Sequence, residues 1–409
     1  MICRFCPSPD LDAQVVFGDD LVAFVQDERH QAALKHSCVI VPLPGNQPGA
    51  SAACAYDAVE LVVWSGTGNT RRVAERVAVA ARASGAVAEV RSASRMPGSA
   101  AGADAPHTAG RRLLGLLGPT HGFTAPWPLL RAAWTIAGVR GVDAFVLVTR
   151  GAMRVGRWTL PGFEGSAAYL PAAVLALRGA RLRGVGAVDM PQNWTVVIPA
   201  GAPAGLAAIV ARGDALADAF AARLVRGERV FGGWAQAVVG ALMLPMSLAY
   251  LLVGRLALAK GFFADERCTS CGACAAACPH GAIRMLGSAR RPYWTFACHN
   301  CMRCMSRCPE EAIQGAQGWL LFYAWLTGLP VAAAVVVALG ASIGWASGVV
   351  RLLVGYGWIV AALWLGYGLL WLGLGVPGLR LVLSRATLTR WYRRYRGPGR
   401  AGGSVGGPG

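Results

Sequence analysis

Lysine is almost missing from this 409-residue chain, and charged residues make up only 15% of it. Lys35 and Lys260 are the only lysines among 39 basic residues, and acidic residues number 21. Soluble domains usually carry about 25% charged residues, and disordered chains are poor in apolar residues. With 55% hydrophobic residues, the composition therefore argues against a disordered chain and against an ordinary soluble enzyme.

The net charge of +18 comes mainly from arginine. Charge of this kind is weak evidence for a nucleic-acid partner, and none is expected. No general base, nucleophile or metal-bound water site stands out, so no catalytic residue is predicted. The oligomeric state and the identity of any protein partner stay open.

Two common phosphate-binding motifs are also missing. Residues 58–64 are typical of a buried parallel strand, and residues 71–83 of a helix. The loop between them has neither the lysine of a Walker loop nor the pattern G-x-G-x-x-G. Its glycines, hydroxyls and amide still predict an anion cradle at a helix N-terminus. The loop resembles the FMN phosphate loop of flavodoxins, which implies FMN binding by Ser65, Gly66, Thr67, Gly68, Asn69 and Thr70.

Strand-like and helix-like segments alternate after this loop. The pattern predicts an α/β flavodoxin-like domain with a doubly wound parallel sheet. The predicted strands lie near 86–91, 112–117, 143–149 and 183–188, and the helices near 126–137, 166–178 and 203–226.

Ligands of such sheets bind at the carboxyl ends of the strands. Further FMN contacts are therefore predicted in the segment that follows the third strand, at Pro119, Thr120, His121, Gly122 and Phe123. The segments 149–151 and 190–194 are expected to border the same crevice. Phe123, Trp127 and Trp158 are candidates for stacking on the flavin ring, with loop packing as the alternative.

Eight cysteines form two runs with one spacing, C-x2-C-x2-C-x3-C followed by proline. This spacing is typical of bacterial ferredoxins with two [4Fe–4S] clusters, in which the fourth cysteine ligates the other cluster. Zinc modules use pairs of C-x2-C instead. The first predicted ligand set is Cys268, Cys271, Cys274 and Cys308, and the second is Cys298, Cys301, Cys304 and Cys278.

Residues 58–314 together resemble bacterial fusion proteins that join a flavodoxin-like domain to a small α+β double-cluster ferredoxin. The resemblance implies electron transfer between FMN and iron–sulfur clusters. The predicted domains are 58–229 (flavodoxin-like), 230–263 (an apolar broken-helix linker) and 264–314 (ferredoxin). A weaker resemblance links residues 3–44 to the start of histidine-triad proteins. The catalytic His-x-His-x-His motif of that family is missing, so residues 1–50 are expected to be an appendage or fragment.

Two long stretches near the C-terminus contain no charged residue, namely 315–350 and 352–379. Each exceeds the roughly 20 residues that span a bilayer, so a transmembrane α-hairpin is predicted within 319–379. The arginine-rich tail 380–409 predicts a cytoplasmic C-terminus in contact with anionic lipid. The uncharged segment 230–254 either lies at the membrane interface or on the hairpin, or crosses the membrane once.

These features predict a protein of the inner membrane that passes electrons between FMN and two [4Fe–4S] clusters, with both redox domains on the cytoplasmic side. The physiological partner is a redox protein of unknown identity. One alternative is a membrane oxidoreductase acting on a quinone or another small substrate. The other is a non-redox assembly protein whose flavodoxin domain has lost FMN.

Overall fold

A computed structural model describes residues 54–95, 110–327 and 348–398, which all belong to the unit Ala53–Gly409. The histidine-triad-like segment 1–50 lies outside the described residues. So do residues 328–347 of the predicted hairpin and the end of the tail, 399–409.

The main sheet has seven strands, six of them parallel in the order β2-β1-β3-β4-β6-β7. A short strand, β5, pairs antiparallel with the end of β4. The first five parallel strands have the flavodoxin-like doubly wound order, which confirms the predicted parallel α/β sheet. The strands are β1 (Ala58–Val63), β2 (Val87–Ser92), β3 (Arg112–Pro119), β4 (Asp143–Val155), β5 (Trp158–Leu160), β6 (Arg181–Pro191) and β7 (Val230–Phe231).

Helices cover both faces of this sheet. α1 (Asn69–Ala83) and α4 (Pro203–Val225) pack on one face, and α2 (Trp127–Thr135) and α3 (Tyr169–Leu177) on the other. α1 buries Val73, Ala74, Val77, Ala78 and Ala81, the three- and four-residue spacing of an amphipathic helix.

A bent helical segment connects the sheet to the rest of the chain. It comprises α5 (Trp234–Leu242), α6 (Leu244–Ala249), a π-helical turn (Tyr250–Gly254) and α7 (Arg255–Ala259), with a 53° bend beside Pro245. The predicted linker began at residue 230, but Val230–Phe231 belongs to the sheet. The hydroxyl of Ser247 donates to the carbonyl of Phe123 at 2.9 Å, so this segment packs on the flavodoxin-like domain.

The cysteine-rich region is a small two-fold repeat with a period of 30 residues. β8 (Phe262–Ala264) pairs with β11 (Ile313–Gly315), and β9 (Ile283–Leu286) pairs with β10 (Arg291–Trp294). α8 (Ala273–Ala277) and α9 (Arg303–Arg307) occupy equivalent positions. Left-handed backbone conformations also recur 30 residues apart, at Ser270 and Asn300, at Gly272 and Met302, and at Gly281 and Glu311.

In the described residues that follow, the helices are α10 (Gln317–Thr327), α11 (Gly348–Gly373) and α12 (Pro377–Ala386), and the first two are strongly apolar. Within the described ranges, α11 alone is long and apolar enough to cross a membrane by itself, and the bent pair α5 with α6–α7 qualifies only as one broken span. The second half of α11 packs on the ferredoxin repeat, where the Tyr367 hydroxyl accepts from the Trp294 amide and donates to the Phe262 carbonyl. One such helix is weak evidence, so the hairpin stays a prediction.

The tail beyond α12 folds back onto the ferredoxin repeat. Arg390 pairs with Glu266 at 2.6 Å, and Arg396 pairs with Glu311 at 2.6 Å. The buried Arg394 donates to the side-chain oxygen of Gln314 at 2.9 Å. Acidic and amide groups within the chain therefore bind these three arginines, and the lipid contact of the tail stays a prediction.

Candidate functional site

The predicted phosphate loop connects β1 to α1. Gly68 has a φ of 113°, a left-handed conformation that only glycine adopts without strain. α1 begins at the next residue, which directs its first free N–H groups toward the loop. The hydroxyl of Thr70 bonds to that of Thr149 at 2.8 Å, and the Asn69 amide donates to the Pro191 carbonyl at 3.0 Å. The loop is therefore tied to the ends of β4 and β6.

The carboxyl ends of β1, β3, β4 and β6 form a cleft of about 30 Å³ around this loop. The buried hydroxyl of Thr120 has no hydrogen-bond partner among the described residues. Hydroxyls, amides and Arg150, with no carboxylate among the lining residues, suit a phosphate monoester. The lining residues are Ser65, Gly66, Thr67, Asn69, Thr70, Pro119, Thr120, His121, Thr149, Arg150, Gly151, Met190, Pro191, Asn193 and Cys301.

The predicted FMN contacts are partly gathered at this cleft. Pro119, Thr120 and His121 line it together with the phosphate loop. Gly122 and Phe123 point elsewhere: Gly122 faces the ring of Tyr250, and Phe123 packs edge-on against Phe163. The structure therefore brings the first three of these five residues to the cleft, and their contact with FMN stays a prediction.

The aromatic side chains proposed for ring stacking do not line the cleft. Trp158 is 65% exposed on the β4–β5 hairpin, and Phe123 is 37% exposed. Trp127 is 47% exposed and lies under the guanidinium of Arg255. All three side chains lie outside the cleft, and their stacking on a flavin ring stays a prediction.

Trp64, the residue just before the loop, was missed by the sequence prediction. It is 1% exposed, and its indole N–H donates to Nε2 of His280 at 3.0 Å. Its ring also meets the edge of His121 at a centroid distance of 5.2 Å. Burial lowers the pKa of His280 to about 4, with Arg303 adding to the effect, so the imidazole is neutral and able to accept this hydrogen bond. The one feature of the sequence that could have indicated Trp64 is its position at the end of a predicted strand, just before the phosphate loop.

The ferredoxin repeat contacts the phosphate loop directly. The guanidinium of Arg303 donates to the carbonyls of Ser65 at 2.7 Å and Gly66 at 2.9 Å. These contacts join the ferredoxin repeat directly to the flavodoxin-like domain. The Tyr395 hydroxyl in the tail donates to Asn69, which adds a third part of the chain to the site.

All nine cysteines within the described residues are free thiols. No three ligands in this part of the chain converge on one metal ion. In a [4Fe–4S] cluster each cysteine ligand binds a different iron. Eight of the nine belong to the two runs.

The electrostatic interactions among these thiols connect cysteines of one run with cysteines of the other. Burial raises the pKa of Cys274 to about 11, and the neighbouring thiols of Cys268 and Cys308 add to the rise. Burial also raises the pKa of Cys298 to about 12, with contributions from Cys301 and Cys278. Cysteine ligands bind as thiolates, so loading the clusters must release protons. Cys308 thus lies near the first run and Cys278 near the second.

An arginine at the cleft also supports the fold. Arg150 bonds to Glu164 at 2.6 Å and to Asp189 at 2.7 Å, and Asp189 is 2% exposed. Replacing Arg150 with methionine is expected to lower the free energy of unfolding by about 3–5 kcal/mol, because a buried carboxylate loses its partner. Urea unfolding of the full chain in detergent measures this change. The exposed Arg154→Met is the control, and a loss below about 1 kcal/mol for Arg150→Met would contradict the expectation.

Comparison with known protein families gave a match to one short part of the chain. The family described as "4Fe-4S binding domain" matches residues 263–284, which hold the first cysteine run. This segment is similar to 4Fe-4S binding domains. The comparison with curated proteins gave no match. The comparisons support neither the histidine-triad resemblance of residues 3–44 nor the membrane anchor.

Parts of this chain are similar to several solved structures at low sequence identity and low TM-score. Rubredoxin oxygen:oxidoreductase from Desulfovibrio gigas is 15% identical with a TM-score of 0.24, covering 42% of this chain and 38% of its own. A flavodoxin from the Archaea is 16% identical (TM-score 0.25), covering 40% of this chain and 96% of its own. The Megasphaera elsdenii flavodoxin is 21% identical (TM-score 0.24), covering 40% and 98%. Because these TM-scores are low, the fold is assigned from the strand order of the sheet and not from these similarities. A flavodoxin-like sheet joined to a 4Fe-4S domain supports a role in electron transfer.

Proposed function

We propose that this protein transfers electrons between FMN bound at the sheet edge and two [4Fe–4S] clusters bound by the ferredoxin repeat. The observation that carries the proposal is the direct contact of Arg303 with Ser65 and Gly66. It brings a cluster-binding loop to the phosphate loop, and electrons move readily only between neighbouring centres. FMN exchanges one or two electrons, whereas each cluster exchanges one.

The second cluster is proposed from the internal repeat. The family match covers only the first cysteine run. The second run has the same cysteine spacing, the same helix position and the same left-handed residues at Asn300 and Met302. A loop that wraps one cluster in the first half is therefore present again in the second.

We also propose that the protein binds the cytoplasmic membrane through its apolar helices. Outward-facing side chains of α11 include Leu352 (75% exposed), Leu369 (67%) and Leu372 (64%), and Trp234 on α5 is 81% exposed. Faces this apolar are typical of membrane or protein contact. A multi-pass arrangement, the cytoplasmic side for both redox domains, and an unidentified redox protein as partner belong to the same proposal.

Cofactor content of the anaerobically purified full chain tests this function. We expect one FMN and about eight irons per chain, since two clusters of four irons make eight. A colourless protein would refute the redox function and favour a non-redox assembly role. A protein with iron but no flavin would refute the flavin half alone.

The tail should help to retain FMN. Tyr395 is 5% exposed and donates to the side chain of Asn69 in the phosphate loop. Replacing Tyr395 with phenylalanine removes this hydrogen bond, and we expect FMN to dissociate roughly fivefold faster, since one buried hydrogen bond contributes about 1 kcal/mol. The recovery of free-flavin fluorescence measures the rate. Tyr392→Phe in the same tail is the matched control, and equal rates for the two variants would show that the tail does not act on the flavin.

A further inference from the structure

The second cysteine run lies against the phosphate loop. Besides the two hydrogen bonds from Arg303, Cys301 lines the cleft together with Ser65 and Thr67. The approach is so close that a Cβ added at Gly66 would lie 2.0 Å from the carbonyl oxygen of Cys301. Only a residue without a side chain fits between these two loops.

A second link joins the same cluster site to the end of β1. Trp64 precedes Ser65, and its indole bonds to and stacks on His280 with a centroid distance of 5.9 Å. His280 follows Cys278 by two residues, and Cys278 is the predicted fourth ligand of the second-run cluster. His280 also meets the ring of His299 at 4.5 Å, beside Cys298. Two of that cluster's ligand segments therefore contact the flavodoxin-like domain.

The first cysteine run is turned toward solvent instead. Cys271 is the exposed cysteine among the eight. A Cβ added at the neighbouring Gly272 would meet no atom within 4 Å, whereas Met302, the equivalent residue of the second repeat, is 4% exposed. The two halves thus have the same backbone but opposite surroundings.

We propose that the cluster bound by the second run is the inner cluster, the immediate electron neighbour of the flavin, and that the cluster bound by the first run is the outer cluster, where a redox protein exchanges electrons. The inner ligands are Cys298, Cys301, Cys304 and Cys278, and the outer ligands are Cys268, Cys271, Cys274 and Cys308. One electron passes at a time from partner to outer cluster, to inner cluster, to flavin, or in reverse. Two passages balance a two-electron change of the flavin. This order rests on the proposed function.

Variants that lack one cluster show which EPR signal belongs to the inner cluster and which to the outer cluster. Cys298→Ala with Cys304→Ala removes the inner cluster, and Cys268→Ala with Cys271→Ala removes the outer one. Potentiometric EPR of the full chain is then recorded with FMN bound and after its removal. We expect FMN removal to change the line shape and midpoint potential of the inner signal only. A change confined to the outer signal, or no change in either, would overturn the order.

A second variant tests the contact in protein freed of FMN. Gly66→Ala should displace the Cys301 loop and alter the inner EPR signal while the outer signal stays unchanged. Gly205→Ala in α4, where the nearest atom to the new Cβ would be 3.5 Å away, is the control. An unaltered inner signal in Gly66→Ala would overturn the inner assignment. A chain that never binds FMN would refute the proposed function, but this variant would still decide the contact.

Hydrogen exchange provides a readout that does not depend on EPR. Arg303→Met removes both bonds to the loop, so amides in peptides covering residues 65–70 should exchange at least roughly tenfold faster. Arg307→Met, at an exposed position of the same helix, is the matched control. Equal exchange in both variants would show that the second run does not brace the loop.

Discussion

Replacing Cys308 with alanine is expected to destroy the cluster bound by the first cysteine run, although Cys308 belongs to the second. The fourth cysteine of such a run ligates the neighbouring cluster. In the structure, burial raises the pKa of Cys274, and the neighbouring thiols of Cys268 and Cys308 raise it further. The expected iron content falls from about eight to about four per chain.

Iron and sulfide analysis together with EPR measures this loss. Cys278→Ala is the reciprocal control, and it should remove the cluster of Cys298, Cys301 and Cys304 instead. If Cys308→Ala removes the second-run signal, each run binds its own cluster and the crossed ligand sets are wrong.

Replacing Thr67 and Thr70 together with leucine is expected to abolish FMN retention. The Thr70 side chain is 2% exposed, and the Thr67 hydroxyl accepts from Asn193 at 2.6 Å. Leucine removes both hydroxyls and adds bulk to a cleft of about 30 Å³. Hydrogen bonds to a charged group contribute about 1.5–3 kcal/mol each, so FMN affinity should fall by roughly 100-fold or more.

Flavin released by denaturing the purified variant measures retention. Thr67→Ser with Thr70→Ser keeps both hydroxyls and should keep the flavin, which separates hydrogen bonding from general damage to the loop. Unchanged flavin stoichiometry in the leucine variant would refute the assignment of this loop to the phosphate.

Local sequence patterns predicted the strands, helices and loops whose conformation depends on residues close together in sequence. The apolar run in β3 buries Leu113, Leu114, Leu116 and Leu117, and strands of this kind alternate with amphipathic helices along the whole domain. Gly68 stands where a left-handed residue is needed before α1. The ferredoxin repeat was visible because cysteine spacing encodes its loops directly.

Contacts between distant parts of the chain could not be predicted in this way. Trp64 and His280 are 216 residues apart, and Arg303 and Ser65 are 238 apart. The tail arginines have no acidic neighbours in sequence, yet Arg390 binds Glu266 across 124 residues. The orientation of Phe123 depends on a left-handed backbone with a φ of 62°, which is uncommon for a residue with a side chain.

The tail contact on the phosphate loop also sets an order of events during synthesis. Asn69 and Tyr395 are 326 residues apart. At about 5–20 residues per second, the ribosome needs roughly 16–65 s to make the chain between them. Until Tyr395 is made, the loop lacks its contact with the tail, whereas Arg303 is made earlier and can already bind the loop. The ferredoxin repeat can therefore reach the phosphate loop before the tail does.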